Sequence, residues 1–199
     1  MRPRARFGLV WILGVPLLND LSGRRLAAGF VAVCFALITF SAPASAFVDE
    51  IRGGIFAHDP FSTTSEDDHA DINVELVFEA PSFLSWAGNP RPRLGGTLSG
   101  GPGTSLVYFD LLGWTFNLTD NLFIDGAIGG AIHDGDLKGN RPDKRYFGCR
   151  ANFHQSGSIG YRITPQLSIM ASVEHMSNGS LCDQNDGLTN AGVRLGYSF

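Results

Sequence analysis

Residues 166–177 alternate without a break. Leu167, Ile169, Ala171, Val173, His175 and Ser177 fall on one face, and Gln166, Ser168, Met170, Ser172, Glu174 and Met176 on the other. A period of two is the mark of a strand, here with one side apolar until its last two members. The end of the chain repeats the pattern. Ala191, Val193, Leu195, Tyr197 and Phe199 share a face, and Asn190, Gly192, Arg194, Gly196 and Ser198 share the other. Nowhere in 47–199 does an apolar run approach the roughly 20 residues that a spanning helix needs. The chain is therefore confined to sheet structure, and 25 glycines against 15 Lys+Arg in 199 residues fit a protein of strands and tight turns.

Six further segments carry strand character, near 48–57, 71–80, 91–99, 105–118, 121–133 and 150–163. Ile72, Val74, Leu76 and Phe78 show the apolar face of one. Leu122, Ile124, Gly126, Ile128, Gly130 and Ile132 show that of another. The 105–118 segment is less regular, with apolar side chains on both parities and Asp110 among them. Thr119-Asp120-Asn121 and Thr164-Pro165-Gln166 read as tight turns. The stretches 58–70, 134–149 and 179–188 are long and polar, and 100–104 belongs on their side. Short turns at one end and long loops at the other are the arrangement of an outer-membrane barrel. Hydrocarbon forbids an unpaired edge, so the sheet must close. The expected fold is all-β, an eight-stranded antiparallel transmembrane β-barrel. A soluble barrel of the calycin kind is the competing architecture, and there the apolar face would point inward.

Arg24 and Arg25 precede an apolar run from Leu26 to Phe40, followed by Ser41-Ala42-Pro43-Ala44-Ser45-Ala46. A basic region, a short apolar run and a small-x-small site form a secretory signal. Residues 1–46 are read as a signal peptide cleaved after Ala46, and 47–199 as the barrel domain. A retained anchor is the alternative, and the run is short for one. The upstream apolar stretch Phe7–Leu18 is read as part of an over-long leader. Cys149 and Cys182 stay with the exported part, in an oxidising compartment. They lie at the outer ends of strands expected to be hairpin partners, so a disulfide between them is expected. A formal net charge of -4 excludes a chain-wide nucleic-acid footprint.

The anomaly on the 166–178 strand is chemical. His175 and Ser177 stand two apart on the face that should meet lipid, and the strand runs outward, so both sit at the outer leaflet. A His there can take a hydroxyl proton and a Ser can attack an ester carbonyl. Asn178 and Gly179 follow and offer donors to an oxyanion. The plainer reading is that polar residues mark where the strand leaves hydrocarbon, and a two-residue pattern does not decide between them.

His175-Met176-Ser177-Asn178-Gly179, with Asn185-Asp186-Gly187-Leu188 and Gly192-Val193-Arg194-Leu195-Gly196-Tyr197-Ser198-Phe199, resembles the PagL family of lipid A 3-O-deacylases. Val48-Asp49-Glu50-Ile51-Arg52-Gly53-Gly54 and Ala57-His58-Asp59 are also similar to that family. The resemblance implies an eight-stranded outer-membrane barrel of a Gram-negative cell. It implies hydrolysis of the ester-linked 3-hydroxyacyl chain at position 3 of lipid A by a Ser-His-acid triad facing the outer leaflet. Carried over, the nucleophile is Ser177, the base His175 and the oxyanion-associated residue Asn178. The sequence departs at the third member. The family's Glu position reads Thr189, or Asn190 with the gap moved. Thr189 shares the lipid-facing parity of Ala191 and Val193 and can orient His175 by a hydrogen bond, without the charge of a carboxylate. Among nearby acids Asp186, ahead of Asp183, is the one expected to substitute.

No cofactor and no metal enter this reading. Glu66, Asp67, Asp68, His69 and Asp71 are taken as a solvated acidic loop rather than a cation site. Lys138, Arg141, Lys144, Arg145 and Arg150 suit the phosphates of lipopolysaccharide in sign and place. His133, His154, Arg162, Arg194, Glu50, Arg52, Glu75 and Asp125 are expected to form a plug of paired charges inside the barrel. The partner is lipid A in the outer membrane, and a homodimer is compatible with it. The rival functions are a non-catalytic structural or adhesion barrel, and an esterase for another outer-leaflet lipid.

Overall fold

The computed structural model describes residues 47–62, 69–142 and 144–199. The leader 1–46 and the acids Glu66, Asp67 and Asp68 lie outside the described residues. Eight strands follow one another around a closed antiparallel barrel. They are β1 (Val48–Ala57), β2 (Ala70–Phe78), β3 (Arg93–Leu98), β4 (Leu106–Asn117), β5 (Leu122–His133), β6 (Ala151–Arg162), β7 (Leu167–Ser177) and β8 (Leu188–Ser198). β8 pairs with β1 from Ser198↔Glu50 to Ala191↔Ala57, so no edge is left.

The direction of the apolar face separates the two architectures. Ile72, Val74, Ile124, Ile128, Ile132, Ile159, Ile169, Val173 and Val193 are exposed on the outer wall. Their neighbours in sequence, such as Asn73, Glu75, Asp125, Ser168, Glu174 and Arg194, are buried inside. Apolar residues point out and polar ones in, which is a membrane barrel and the reverse of a calycin. A water-soluble protein would not present so continuous an apolar band.

The interior is an ionic core. Arg52 bonds Glu50, Glu75 and Asp125, and Asp125 takes Arg93 as its second cation at 2.7 Å. Arg194 lies 3.5 Å from Glu75 and 3.6 Å from Glu174. His154 joins Asp110 at 2.8 Å and stacks on Tyr108. Of the residues expected in this plug, Arg162 lies nearer the rim, over the Phe123 ring and bonded to Asn117. His133 bonds the Cys149 carbonyl near the outer end.

The irregularity of the fourth segment has a physical cause. The β4–β5 register slips between Phe109 and Leu112. Before the slip Leu106, Tyr108 and Asp110 face inward; after it the buried Gly113 and Thr115, bonded to Asp125, do. A bulge of this kind exchanges the two faces, which puts apolar residues on both parities of one strand. The end with short turns carries one long connection, residues 79–92, with a 3-10 helix over Ser82–Ala87. Trp114 Nε1 ties it to the wall through the Ala87 carbonyl.

Candidate active site

The outer end of β7 is held between β6 and β8. His175 stands opposite Thr189 on β8 and Gln155 on β6, and Ser177 stands opposite Phe153. Residues directly opposite on one face have Cβ atoms about 4.5–5.5 Å apart. His175 and Ser177 share the parity of the exposed Ile169 and Val173, so both lie on the outer wall. His175 Nδ1 and Thr189 Oγ1 are 2.8 Å apart. With Nδ1–H donating to that hydroxyl, Nε2 keeps its lone pair. Ser177 Oγ has no hydrogen-bond partner among the described residues, and none joins it to His175.

Below the pair the outer wall is indented. Gln155, Ser156, Gly157, Val173, Glu174 and His175 line a groove of about 320 Å³. Gly157 faces Gly126 across β5–β6, so two side chains are missing from the wall at one level. A Cβ on Gly126 would approach nothing closer than 3.6 Å, and on Gly157 nothing closer than 4.0 Å. Backbone crowding therefore does not require these glycines, and their effect is the indentation.

The loop above the pair is clamped from several sides. Asn178 is buried, and its amide nitrogen bonds the carbonyls of Phe147 and Gln184, both at 2.6 Å. Its backbone N–H bonds Asn185 Oδ1 at 2.7 Å. Both kinds of Asn178 donor are thus spent on the loop, whereas the N–H of Gly179 has no partner among the described residues. Gly179 sits at φ 62° and Gly187 at φ 63°, the left-handed region that favours glycine. A Cβ on Gly187 would come within 3.1 Å of His175 Cε1, so this glycine lets the loop lie on the edge of the imidazole.

Neither Asp186 nor Asp183 stands behind His175, and Glu174 points away from it as its parity predicts. Asp186 accepts the Tyr146 N–H at 2.6 Å, and it is Thr189, not Asp186, that bonds His175. Asp183 forms an exposed pair with Lys138. Glu174 points inward, to Thr97, Asn190 and Asn73. Cys149 and Cys182 are joined as a disulfide, with Cα atoms 6.0 Å apart. Of the basic residues expected to meet phosphate, Arg145 is withdrawn. It is buried against Asp59 and bonds the carbonyls of Asp186 and Gly187. Lys138, Arg141 and Arg150 stay exposed at the rim. The clamp Asp59–Arg145 was not visible in the sequence, because 86 residues and the strands β2 to β5 separate its members.

A family model described as lipid A 3-O-deacylase (PagL) matches residues 69–198. The chain belongs to the PagL family. Among solved structures, that of the outer membrane enzyme PagL superposes with a TM-score of 0.57 at 19% identity, covering 75% of this chain and 99% of that one. Neisserial surface protein A superposes with a TM-score of 0.50 at 10% identity, covering 78% of this chain and 98% of that one. Identities this low speak for the shared barrel alone. No curated protein sequence matches the chain. Family membership and the apolar outer wall agree that this is an outer-membrane barrel.

Proposed function

We propose that the chain hydrolyses the ester-linked 3-hydroxyacyl chain at position 3 of lipid A, with Ser177 as nucleophile and His175 as base. The observation that carries this reading is the bond from His175 Nδ1 to Thr189 Oγ1, which orients a histidine beside a free serine on the lipid-facing wall. Ser177 Oγ attacks the ester carbonyl carbon while His175 Nε2 takes its proton. The tetrahedral oxyanion is met by the Gly179 N–H, with Asn178 holding that turn in place rather than donating itself. Collapse breaks the bond to the sugar oxygen, which leaves with the proton from His175. Water then attacks the acyl-serine with His175 again as base, releasing the 3-hydroxy fatty acid and restoring Ser177.

The third member is Thr189. A hydroxyl fixes the ring and its tautomer, but it lacks the charge with which a carboxylate stabilises the imidazolium. The acyl chain lies in the groove beside Gly157, below the reacting carbonyl, and the exposed Lys138 and Arg141 meet anionic groups of the lipid at the rim. The reading needs no cofactor. Its test is the purified barrel mixed with lipid A in micelles, with release of free 3-hydroxy fatty acid measured. Wild-type protein releases it and Ser177→Ala does not. Equal release by Ser177→Ala would remove the serine mechanism.

A further inference from the structure

On the far side of the Asp59 clamp from His175 lies a second cluster of chemistry-bearing side chains. His58 ends β1's outward run, His69 precedes β2, and Asp71 is β2's first inward-facing residue. The Asp71 carboxylate receives both imidazoles, His58 Nδ1 at 2.7 Å and His69 Nε2 at 3.3 Å. The two rings stack with centroids 4.5 Å apart. His58 is 1% exposed and Asp71 is fully buried. Each residue offers a ligand atom within 4.8 Å of the others.

We propose that His58, His69 and Asp71 form a divalent transition-metal site, of the kind that takes Zn2+, at the outer end of the barrel. Two neutral imidazoles and one carboxylate are a borderline donor set that suits zinc, unlike the all-oxygen sets of calcium and magnesium. Bonds of about 2.0–2.1 Å around a tetrahedral ion set neighbouring ligand atoms about 3.3–3.4 Å apart. His69 Nε2 stands 3.3 Å from Asp71, and His58 Nδ1, now at the 2.7 Å of a hydrogen bond, would move outward as the ion replaces the shared proton.

Two further observations bear on the site. The ring nitrogens that face Asp71 are the ligand atoms; the opposite ones, His58 Nε2 and His69 Nδ1, are buried without a hydrogen-bond partner, so no second partner pins either ring's tautomer and the proton can sit on the far nitrogen when a metal takes the near one. The second outer loop is also shaped around the rings. A Cβ on Gly103 would fall 2.5 Å from His58 Nε2 and 2.8 Å from His69 Cε1, and one on Gly101 would fall 2.9 Å from His69 Nδ1. Bare backbone at these two positions lets the loop close over the imidazoles.

A metal there ties the two ends of the first outer loop to each other and to the wall beside the second. His58 adjoins Asp59, which bonds Arg145 and, through its N–H, Asn190 Oδ1. Arg145 in turn holds the Asp186 and Gly187 carbonyls behind His175. The metal therefore firms the loop end on which that clamp is built. The site stands independently of the deacylation reading.

The test uses the full barrel in detergent micelles without a histidine tag, stripped with chelator and titrated with Co2+ and then Zn2+. Wild-type protein is expected to bind one equivalent, with visible Co2+ absorption of a low-coordinate nitrogen/oxygen site that Zn2+ abolishes. His58→Ala and His69→Gln should each weaken binding by at least about tenfold, since losing only a hydrogen bond behind a ligand costs about 10–100-fold. His175→Ala should keep the full equivalent. Folding is checked by heat-dependent gel migration. His69 is the less buried of the two, so His69→Gln decides the matter should His58→Ala not fold. A wild-type barrel that binds no stoichiometric metal, or a His69→Gln barrel with unchanged affinity, would overturn the site.

Discussion

At the residue scale the account turns on what stands behind His175. Thr189 supplies one hydrogen bond, and a hydrogen bond is worth about 0.5–1.5 kcal/mol. Thr189→Val should therefore lower kcat by roughly 2- to 13-fold, given a tenfold change per ~1.36 kcal/mol. Thr189→Glu puts a carboxylate where the family resemblance expects one. The acid of a serine-hydrolase triad is worth up to roughly 10⁴ in kcat, so this variant should be faster than wild type. Asp186→Asn keeps an oxygen for the Tyr146 N–H and should leave kcat close to wild type, because the carboxylate does not bond His175. Steady-state release of 3-hydroxy fatty acid by the three proteins checks this ordering. That His175 and Ser177 share the outer face was legible from period two, since a strand's alternation states which side chains share a face. The partner of His175 was legible in part, since parity puts Thr189 on the same outer face as Ala191 and Val193. Thr189 becomes its neighbour only through the β7–β8 register, and a one-residue shift in that register would have offered another side chain.

At the element scale, two features govern how β7 presents its end. The first is the indentation at Gly157. Gly157→Val refills it from the outer wall, where a Cβ meets nothing closer than 4.0 Å. The barrel should fold as before while KM for lipid A rises and shorter acyl chains become relatively better substrates. Unchanged KM and chain preference would place the acyl chain elsewhere. The second is the Asp59–Arg145 clamp. Arg145→Met leaves a buried carboxylate without its cation, a loss of about 3–5 kcal/mol for pairs of this kind. The cost should appear as faster proteolysis of the loop 178–187, with the strands still protected. Strand existence was readable from alternation, and the boundaries found lie within two residues of those expected for the first seven segments. The β4 bulge and the 3-10 helix at Ser82–Ala87 were not readable. A bulge erases the very periodicity by which a strand is recognised. The helix is too short and too exposed to carry one.

At the scale of the whole molecule, the barrel inverts the usual distribution of apolar and charged groups. Its outer wall is stabilised by lipid and its centre by paired charges that must all be matched. Arg52 serves Glu50, Glu75 and Asp125 together. Removing it as Arg52→Met leaves three carboxylates near one another with fewer cations. Breaking one buried pair costs about 3–5 kcal/mol, so the denaturant midpoint for unfolding should fall markedly while the folded barrel keeps its strand content by circular dichroism. The interior plug was legible as a list of inward parities, whereas its pairings depended on closure of the sheet. The same holds for the disulfide, where the hairpin β6–β7 brings the loop ends together, and for the His58–His69–Asp71 cluster, whose two histidines stand at opposite ends of one loop.

All of these predictions rest on one claim, that this barrel removes the 3-position acyl chain from lipid A through Ser177. The most direct measurement is mass spectrometry of lipid A from Gram-negative cells expressing either the wild-type barrel or Ser177→Ala, with equal amounts of folded protein in the outer membrane. The account predicts that wild-type cells show lipid A lighter by one 3-hydroxyacyl chain, lost from position 3, and that Ser177→Ala cells show the unmodified species. Unmodified lipid A in the presence of correctly inserted wild-type protein, or the same loss with Ser177→Ala, would contradict it.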